Sequence, residues 1–265
     1  MNYETIIYEK KERIARITIN RPRVLNAIDR LAIKELTMAF RQVQEDDEVR
    51  VVILTGAGDR AFSTGHDLKE SLGDSESVRK LHTNAHDLMF AIWNLGKAVI
   101  ARIDGYCLGT SIDLALVCDF TIASEESIFG EPEIRFSSGS EFPMLPWVVG
   151  MKQAKNLMLT GDSISAAEAQ KMGMITKVVP KKELDEEVDK LAKKLSNVPA
   201  FAMKMNKSNI DKAFEAMGFI NGMAVALENI SLLVITETEE RRIFGQIKAE
   251  KGLRAAMDWR DSLFK

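Results

Sequence analysis

Between residues 105 and 141 the chain sets carboxyl groups among glycine-rich turns, a combination suited to moving protons on a bound substrate. Asp113, Glu131, Glu133 and Glu141 fall in this stretch. Clustered acids in a dry pocket acquire separated proton affinities, so one can donate while another accepts. Gly105-Tyr106-Cys107-Leu108-Gly109-Thr110-Ser111 follows a strand-like run and opens a helix, and Ala61-Phe62-Ser63-Thr64-Gly65-His66-Asp67-Leu68 is a second turn feeding a helix. Glycine permits positive φ and close backbone approach, and a helix start leaves N–H groups without intrahelical partners. Two such turns, brought together, could form an oxyanion hole from backbone donors alone. Asp113 lies three residues beyond Thr110, in the first turn of its helix. Glu131 and Glu133 flank Pro132 in a short loop, and Glu141 follows in a Ser/Gly-rich stretch. Taken singly, each acid is also readable as a solvated loop charge.

Other chemistries fit less well. Gly56-Ala57-Gly58-Asp59-Arg60-Ala61 matches a loose dinucleotide fingerprint, which requires a helix to begin inside the motif. Here Phe62-Ser63-Thr64-Gly65 intervenes as a turn. Gly109-Thr110-Ser111-Ile112-Asp113 resembles a nucleophile elbow without its final Gly. The partner His of that mechanism follows the Ser, whereas His66, His82 and His86 all precede Ser111. His82 and His86, four apart on a helix, could place two metal ligands on one face. Met89 and Trp93 continue the same stripe, as on a partly buried helix.

The elements that must position these residues alternate. Short β-branched runs occur at Thr5–Tyr8, Ala15–Ile19, Val51–Leu54, Ala98–Ile103 and Phe120–Ala123. Helical spacing fills the gaps, as in Ile33, Leu36, Phe40, Val43 and in Leu81, Ala85, Leu88, Ile92. This is the pattern of an α/β fold. After a strand-like run at Ile175–Val179 the chain is helical from Glu183 almost to its end, with stripes at Leu227, Ile230, Val234 and at Leu253, Met257. The 265 residues suit one large domain or two small ones. A net charge of −3 and a pI near 5.8 argue against wrapping nucleic acid by bulk charge. Two Cys exclude a disulfide scaffold and most Cys-based zinc sites. The opening MNYETIIYEKKER lacks the apolar stretch of a signal peptide, and no run of about 18 apolar residues offers a membrane span. The expectation is a cytoplasmic protein without membrane or nucleic-acid partners.

Four segments, in order, carry a family resemblance over nearly the whole chain. They are Asn20-Arg21-Pro22-Arg23-Val24-Leu25-Asn26-Ala27, Ala61–Leu68, Gly105–Asp119 and Phe129-Gly130-Glu131-Pro132-Glu133-Ile134. Together they resemble the crotonase, or enoyl-CoA hydratase/isomerase, family. The resemblance implies a spiral of ββα units over residues 1–200 and a helical C-terminal region over 201–265, part of the same functional domain. It implies a homotrimer or a dimer of trimers, an acyl-CoA thioester substrate, no metal and no cofactor beyond the coenzyme A of the substrate. The oxyanion-hole amides carry over to His66 and Thr110. Arg23 and Lys69 match positions for coenzyme A contact, with Phe264 and Lys265 contributing from the C-terminus.

The same resemblance implies catalytic carboxyls. The family's hydratases use two glutamates; Glu133 fits one position, and Asp113, one methylene shorter, stands at the other. The family's dienoyl-CoA isomerases have an Asp, a Glu and a further acid eight residues on, a spacing that Asp113, Glu133 and Glu141 repeat. The expectation is therefore hydration of a 2-enoyl-CoA through an enolate. Double-bond isomerisation is the alternative, and a non-catalytic CoA-ester-binding homologue is the third reading. The helix Leu81–Trp93 and the segment Phe136–Trp147 are expected to shape the acyl pocket.

Overall fold

The β-branched runs near the N-terminus pair first with each other. In the computed structural model, which describes residues 2–70 and 74–264, β1 (Ile6–Lys11) and β2 (Ile14–Ile19) form an antiparallel hairpin. α1 (Arg30–Glu45) follows, its start capped by the Asp29 carboxylate accepting from the Ala32 amide. The chain then repeats one step. β3 (Val51–Gly56) joins the first sheet, β4 (Ala61–Ser63) enters a second, and α2 (Ser75–Trp93) closes the unit. β5 (Ala98–Ile103), β6 (Tyr106–Leu108) and α3 (Thr110–Leu116) do the same. β7 (Phe120–Ser124) and β8 (Ile128–Gly130) do so again, ending in the 3-10 turn Pro132–Phe136. Each unit thus gives one strand to each sheet, and the chain advances as a spiral.

The remaining elements are α4 (Leu145–Val148), α5 (Gly150–Thr160), β9 (Ser163–Ser165), α6 (Ala166–Lys171) and β10 (Lys177–Val179), followed by α7 (Leu184–Ser196), α8 (Ala200–Ala216), α9 (Phe219–Ile235) and α10 (Glu239–Ser262). The larger sheet has the order β1-β2-β3-β5-β7-β10 and is parallel from β2 onward. The smaller has the order β4-β6-β8-β9, with β4, β6 and β8 parallel and β9 antiparallel.

Alternation along the strands divides the core. Val52, Leu54, Val99 and Ala101 share one cluster with α1 and α2. Val51, Ile53, Ile100 and Ile122 face the other way, onto Leu184, Val188 and Ala192 of α7. Parallel strands covered on both faces read as continuous apolar runs, which is why β3 is buried almost throughout. Crossing from one sheet to the other leaves little room. A Cβ on Gly105, whose φ is +74°, would lie 2.1 Å from the Arg60 carbonyl oxygen, so only glycine fits that corner.

The C-terminal helices are anchored to this core. Lys207 of α8 pairs with Asp119 at 2.9 Å, and Asp119 also accepts from the Val99 amide. Phe219 of α9 stacks on Trp93 with ring centroids 4.2 Å apart. α10 breaks at Gly252, which has non-helical dihedrals.

Asn26 knots the segment after β2 to the turn before β4. Its Nδ2 donates to the carbonyls of Ala57 and Ala61 at 2.9 and 2.8 Å, and its Oδ1 accepts from the Arg21 amide at 3.0 Å. It does so from the left-handed region, φ 56°, which Asn tolerates better than Ala. Asn26→Ala is expected to cost about 3 kcal/mol, from the lost bonds and the stranded backbone groups. Urea unfolding checks this as a lower midpoint with an unchanged m-value.

Candidate active site

Parallel strands in register end side by side, and the smaller sheet uses this to gather its turns. β4 runs into Gly65-His66, β6 into Gly109-Thr110, and β8 into Glu131-Pro132-Glu133. The turns are stitched together by the Ser111 hydroxyl, which donates to the Ser63 carbonyl at 2.8 Å, and by the Gly109 amide, which donates to the Gly130 carbonyl at 2.9 Å. Arg21 pairs with Asp29 and Asp67 at 2.7 and 3.0 Å and so fixes the residue after His66. A Cβ on Gly65 would lie 3.2 Å from the Thr110 nitrogen and 3.4 Å from Glu133 Oε1.

Both candidate oxyanion donors stand outside the hydrogen-bond ladders. The bridge between Ile28 and His66 uses the Gly65 carbonyl and the Asp67 amide, which leaves the His66 N–H unused by it. Thr110 is the first residue of α3, where an amide has no intrahelical acceptor. The two amides and one Glu133 oxygen therefore meet at the ends of β4, β6 and β8.

Glu133 forms a wall of the cleft there. A Cβ on Gly109 would sit 1.4 Å from Glu133 Oε1, so glycine is what admits the carboxyl this close. Burial pushes the Glu133 carboxyl up to about 7; its own backbone amide and the His66 charge oppose the rise, and the Glu141 charge adds to it. Glu131 is buried beside it, its carboxyl raised well above the ordinary range by burial and by the Glu133 charge.

Asp113 and Glu141 lie behind the cleft, and neither is among its lining residues. Asp113 is buried, accepting from the Met144 amide at 2.9 Å and from the Ser140 hydroxyl. Burial raises its carboxyl well above the ordinary value despite those two bonds. Glu141 is fully buried and accepts from His66 Nε2 at 2.9 Å. Burial alone would raise it, but the charge and hydrogen bond of His66, joined by His82, hold it well below the usual carboxylate range. His66 itself is desolvated, yet Glu141 holds its pKa above the ordinary value. His66, His82 and Glu141 bring ligand atoms within 4.8 Å of one another and could hold a metal ion. The 2.9 Å bond already satisfies His66 Nε2 and Glu141 Oε1 without one.

The cleft encloses about 540 Å³. Arg23 and Lys69, which the family resemblance assigns to coenzyme A contact, line it. Arg60, Tyr106 and Arg260 also line it, with Leu253 and Met257 from α10. In the sequence Leu253 and Met257 form only a helix stripe, and Arg60 lies within the turn 56–61. Phe264 instead lies on the surface, its ring 4.6 Å beneath the Arg135 guanidinium and not among the cleft residues. Lys265 falls outside the described residues. Ser138 and Gly139 of the segment 136–147 reach the cleft, whereas the described cleft residues include none from α2.

Residues 9–254 match the family model described as enoyl-CoA hydratase/isomerase. A probable mitochondrial enoyl-CoA hydratase of Dictyostelium discoideum is 36% identical over 216 residues, 78% of this chain and 75% of that protein. A crotonyl-CoA hydratase of Syntrophomonas wolfei is 31% identical over 256 residues, covering 95% of this chain and 98% of that one. The crystal structure of an enoyl-CoA hydratase/isomerase from Xanthobacter autotrophicus Py2 superimposes with a TM-score of 0.96 at 35% identity, covering 100% of both chains.

The electrostatics give a direct test. The Glu133 carboxyl should titrate with a midpoint near 7, read by carbon-detected NMR of labelled glutamate. In His66→Gln the midpoint should move upward, because the cation opposing the rise is gone and Glu141 is left uncompensated.

Proposed function

Because the chain belongs to the enoyl-CoA hydratase/isomerase family, we propose that it hydrates a 2-enoyl-CoA thioester through an enolate. The observation that carries this reading is the packing of Glu133 against the Gly65 and Gly109 turns. It sets one proton-carrying group beside two available amides. The thioester oxygen would accept from the amides of His66 and Thr110. Water adds to the β-carbon, its proton passes to the Glu133 carboxylate, and the double-bond electrons move toward the thioester oxygen. The Glu133 acid then returns a proton to the α-carbon, giving a 3-hydroxyacyl thioester and restoring the carboxylate. Losing one oxyanion donor in such a site costs about 10²–10³ in rate.

Arg23, Lys69 and Arg60 supply cations for the coenzyme A phosphates, and Leu253 and Met257 an apolar wall. Coenzyme A enters as part of the substrate, so this chemistry asks for no separate cofactor. A homotrimer or a dimer of trimers belongs to the same proposal, supported by exposed Met217, Val225, Leu232 and Ile235 at the C-terminal end of α8 and along α9. No single helix among the described residues is long and apolar enough to cross a membrane. A cytoplasmic setting is supported by Cys107 and Cys118, both free and buried.

One observation favours a second reading. With Asp113 and Glu141 withdrawn from the cleft, the acids among the described residues lining it are Glu133 and Asp67, and Asp67 is paired with Arg21. A single carboxyl can remove a proton from an acyl chain and return it further along, which is double-bond isomerisation.

Incubation with crotonyl-CoA should remove the conjugated-thioester absorbance. Glu133→Gln should lower kcat by about 10²–10⁴, the range for a positioned acid/base, with KM little changed. Since the reactive form is the carboxylate and the group is protonated below about 7, the rate should rise as pH rises through that value. Failure to turn over short or medium 2-enoyl-CoA, together with conversion of a 3,5-dienoyl-CoA to its 2,4 isomer, would move the activity to the second reading.

A further inference from the structure

We infer that Glu141 is the positioning residue of the oxyanion hole: one buried carboxylate holds the side chains of both residues that supply its amides. His66 Nε2 donates to Glu141 Oε1 at 2.9 Å, and the Thr110 hydroxyl reaches the same carboxylate at 3.4 Å. The inference rests on the enolate reading above, since it needs those two amides to hold the thioester oxygen. It replaces the expectation that Glu141 is a third proton-transfer acid, because the carboxylate is fully buried and is not among the described residues lining the cleft.

The loop carrying Glu141 is itself braced. Asp113 accepts from Ser140 on one side of Glu141 and from Met144 on the other. Phe142 is buried against Phe90, His86 and Phe219, with ring centroids 5.1, 5.2 and 5.8 Å away. Asp113 thus acts on the oxyanion hole through Glu141.

Charge decides what the clamp does. A bare carboxylate beside the hole would oppose the negative charge that develops on the thioester oxygen. An imidazolium at His66 cancels it and leaves a cation nearest the cleft, whose wall the His66 side chain forms. The charged groups acting on His66 are Glu141, Glu133 and Glu70, and the His82 ring packs edge-on at 5.6 Å.

The probe is 4-(dimethylamino)cinnamoyl-CoA, a thioester whose absorbance shifts to the red when its carbonyl is polarised. Bound to the wild-type protein it should show that shift. Glu141→Gln should lose most of the shift and reduce kcat for crotonyl-CoA about 10- to 100-fold with KM within about threefold, less than the loss of a whole oxyanion donor. His66→Gln combined with Glu141→Gln should lose no more than Glu141→Gln alone, as two members of one unit. If Glu141→Gln fails to fold, Thr110→Val, which removes only the hydroxyl from the clamp, should lose part of the shift. A Glu141→Gln protein that loses turnover but keeps the full shift would make Glu141 a proton-transfer acid and overturn the clamp. An unchanged shift in every variant overturns it as well, as does a wild-type protein that binds the probe without any shift. A wild-type shift without crotonyl-CoA turnover sinks the hydration reading and leaves the clamp standing.

Discussion

The site has to stabilise new negative charge in a region that already gathers four carboxyl groups, three of them buried. Asp113, Glu131 and Glu141 are nearly or fully inaccessible, and Glu133 faces the cleft among them. Burying an ionised carboxylate without compensation is prohibitive, so each must be paired or forced neutral. The structure does both. Burial and mutual repulsion push Asp113 and Glu131 upward, toward uncharged forms. Glu141 keeps its charge because His66 pairs with it. Glu133 is left between these extremes, near neutrality, where a proton can be taken and returned without large cost in either direction.

This balance depends on backbone geometry finer than the carboxyls themselves. The parallel register of β4, β6 and β8 puts three turns next to one another. Glycine at 65 and 109 then removes the atoms that would keep Glu133 away from the amides. The larger sheet and α7 provide the rigid support behind this arrangement. Small displacements of the donors would forfeit the electrostatic gain, because a preorganised hole works only where its dipoles need not reorient.

How much of this the sequence revealed follows from range and length. The strands β3, β5 and β7 and the helices α1 and α2 were legible because their apolar patterns run long enough to show a period. β4, β6, β8 and β9 span three residues each, too few for any period, and they form the very sheet that carries the site. The turns were still recognisable, because glycine and helix starts mark them locally. Glu131 and Glu133 were visible around Pro132, and only the family resemblance of the segment 129–134 chose Glu133 between them. Glu141 was visible as an acid, but its partner His66 lies 75 residues away, and no local pattern reports such a pairing. The same holds for Asp113, whose bonds to Ser140 and Met144 span 27 and 31 residues. Leu253 and Met257 showed a helical stripe, and only the docking of α10 tells which side of it faces the cleft.

Asp113 shows how a one-methylene difference can relocate a role. The resemblance places a glutamate at this helix position in the hydratases. Here the shorter acid has both oxygens engaged by the loop 140–144. A carboxyl held by two donors and raised by burial makes a poor base for water, but a firm bracket. What the bracket supports is the loop that delivers Glu141 to the His66 ring and the Thr110 hydroxyl. Asp113, Glu141 and His66 then form one chain of contacts ending at the amides of His66 and Thr110. Removing any link leaves a buried polar group without its partner, so the three residues are better understood as a single device than as separate acids and bases.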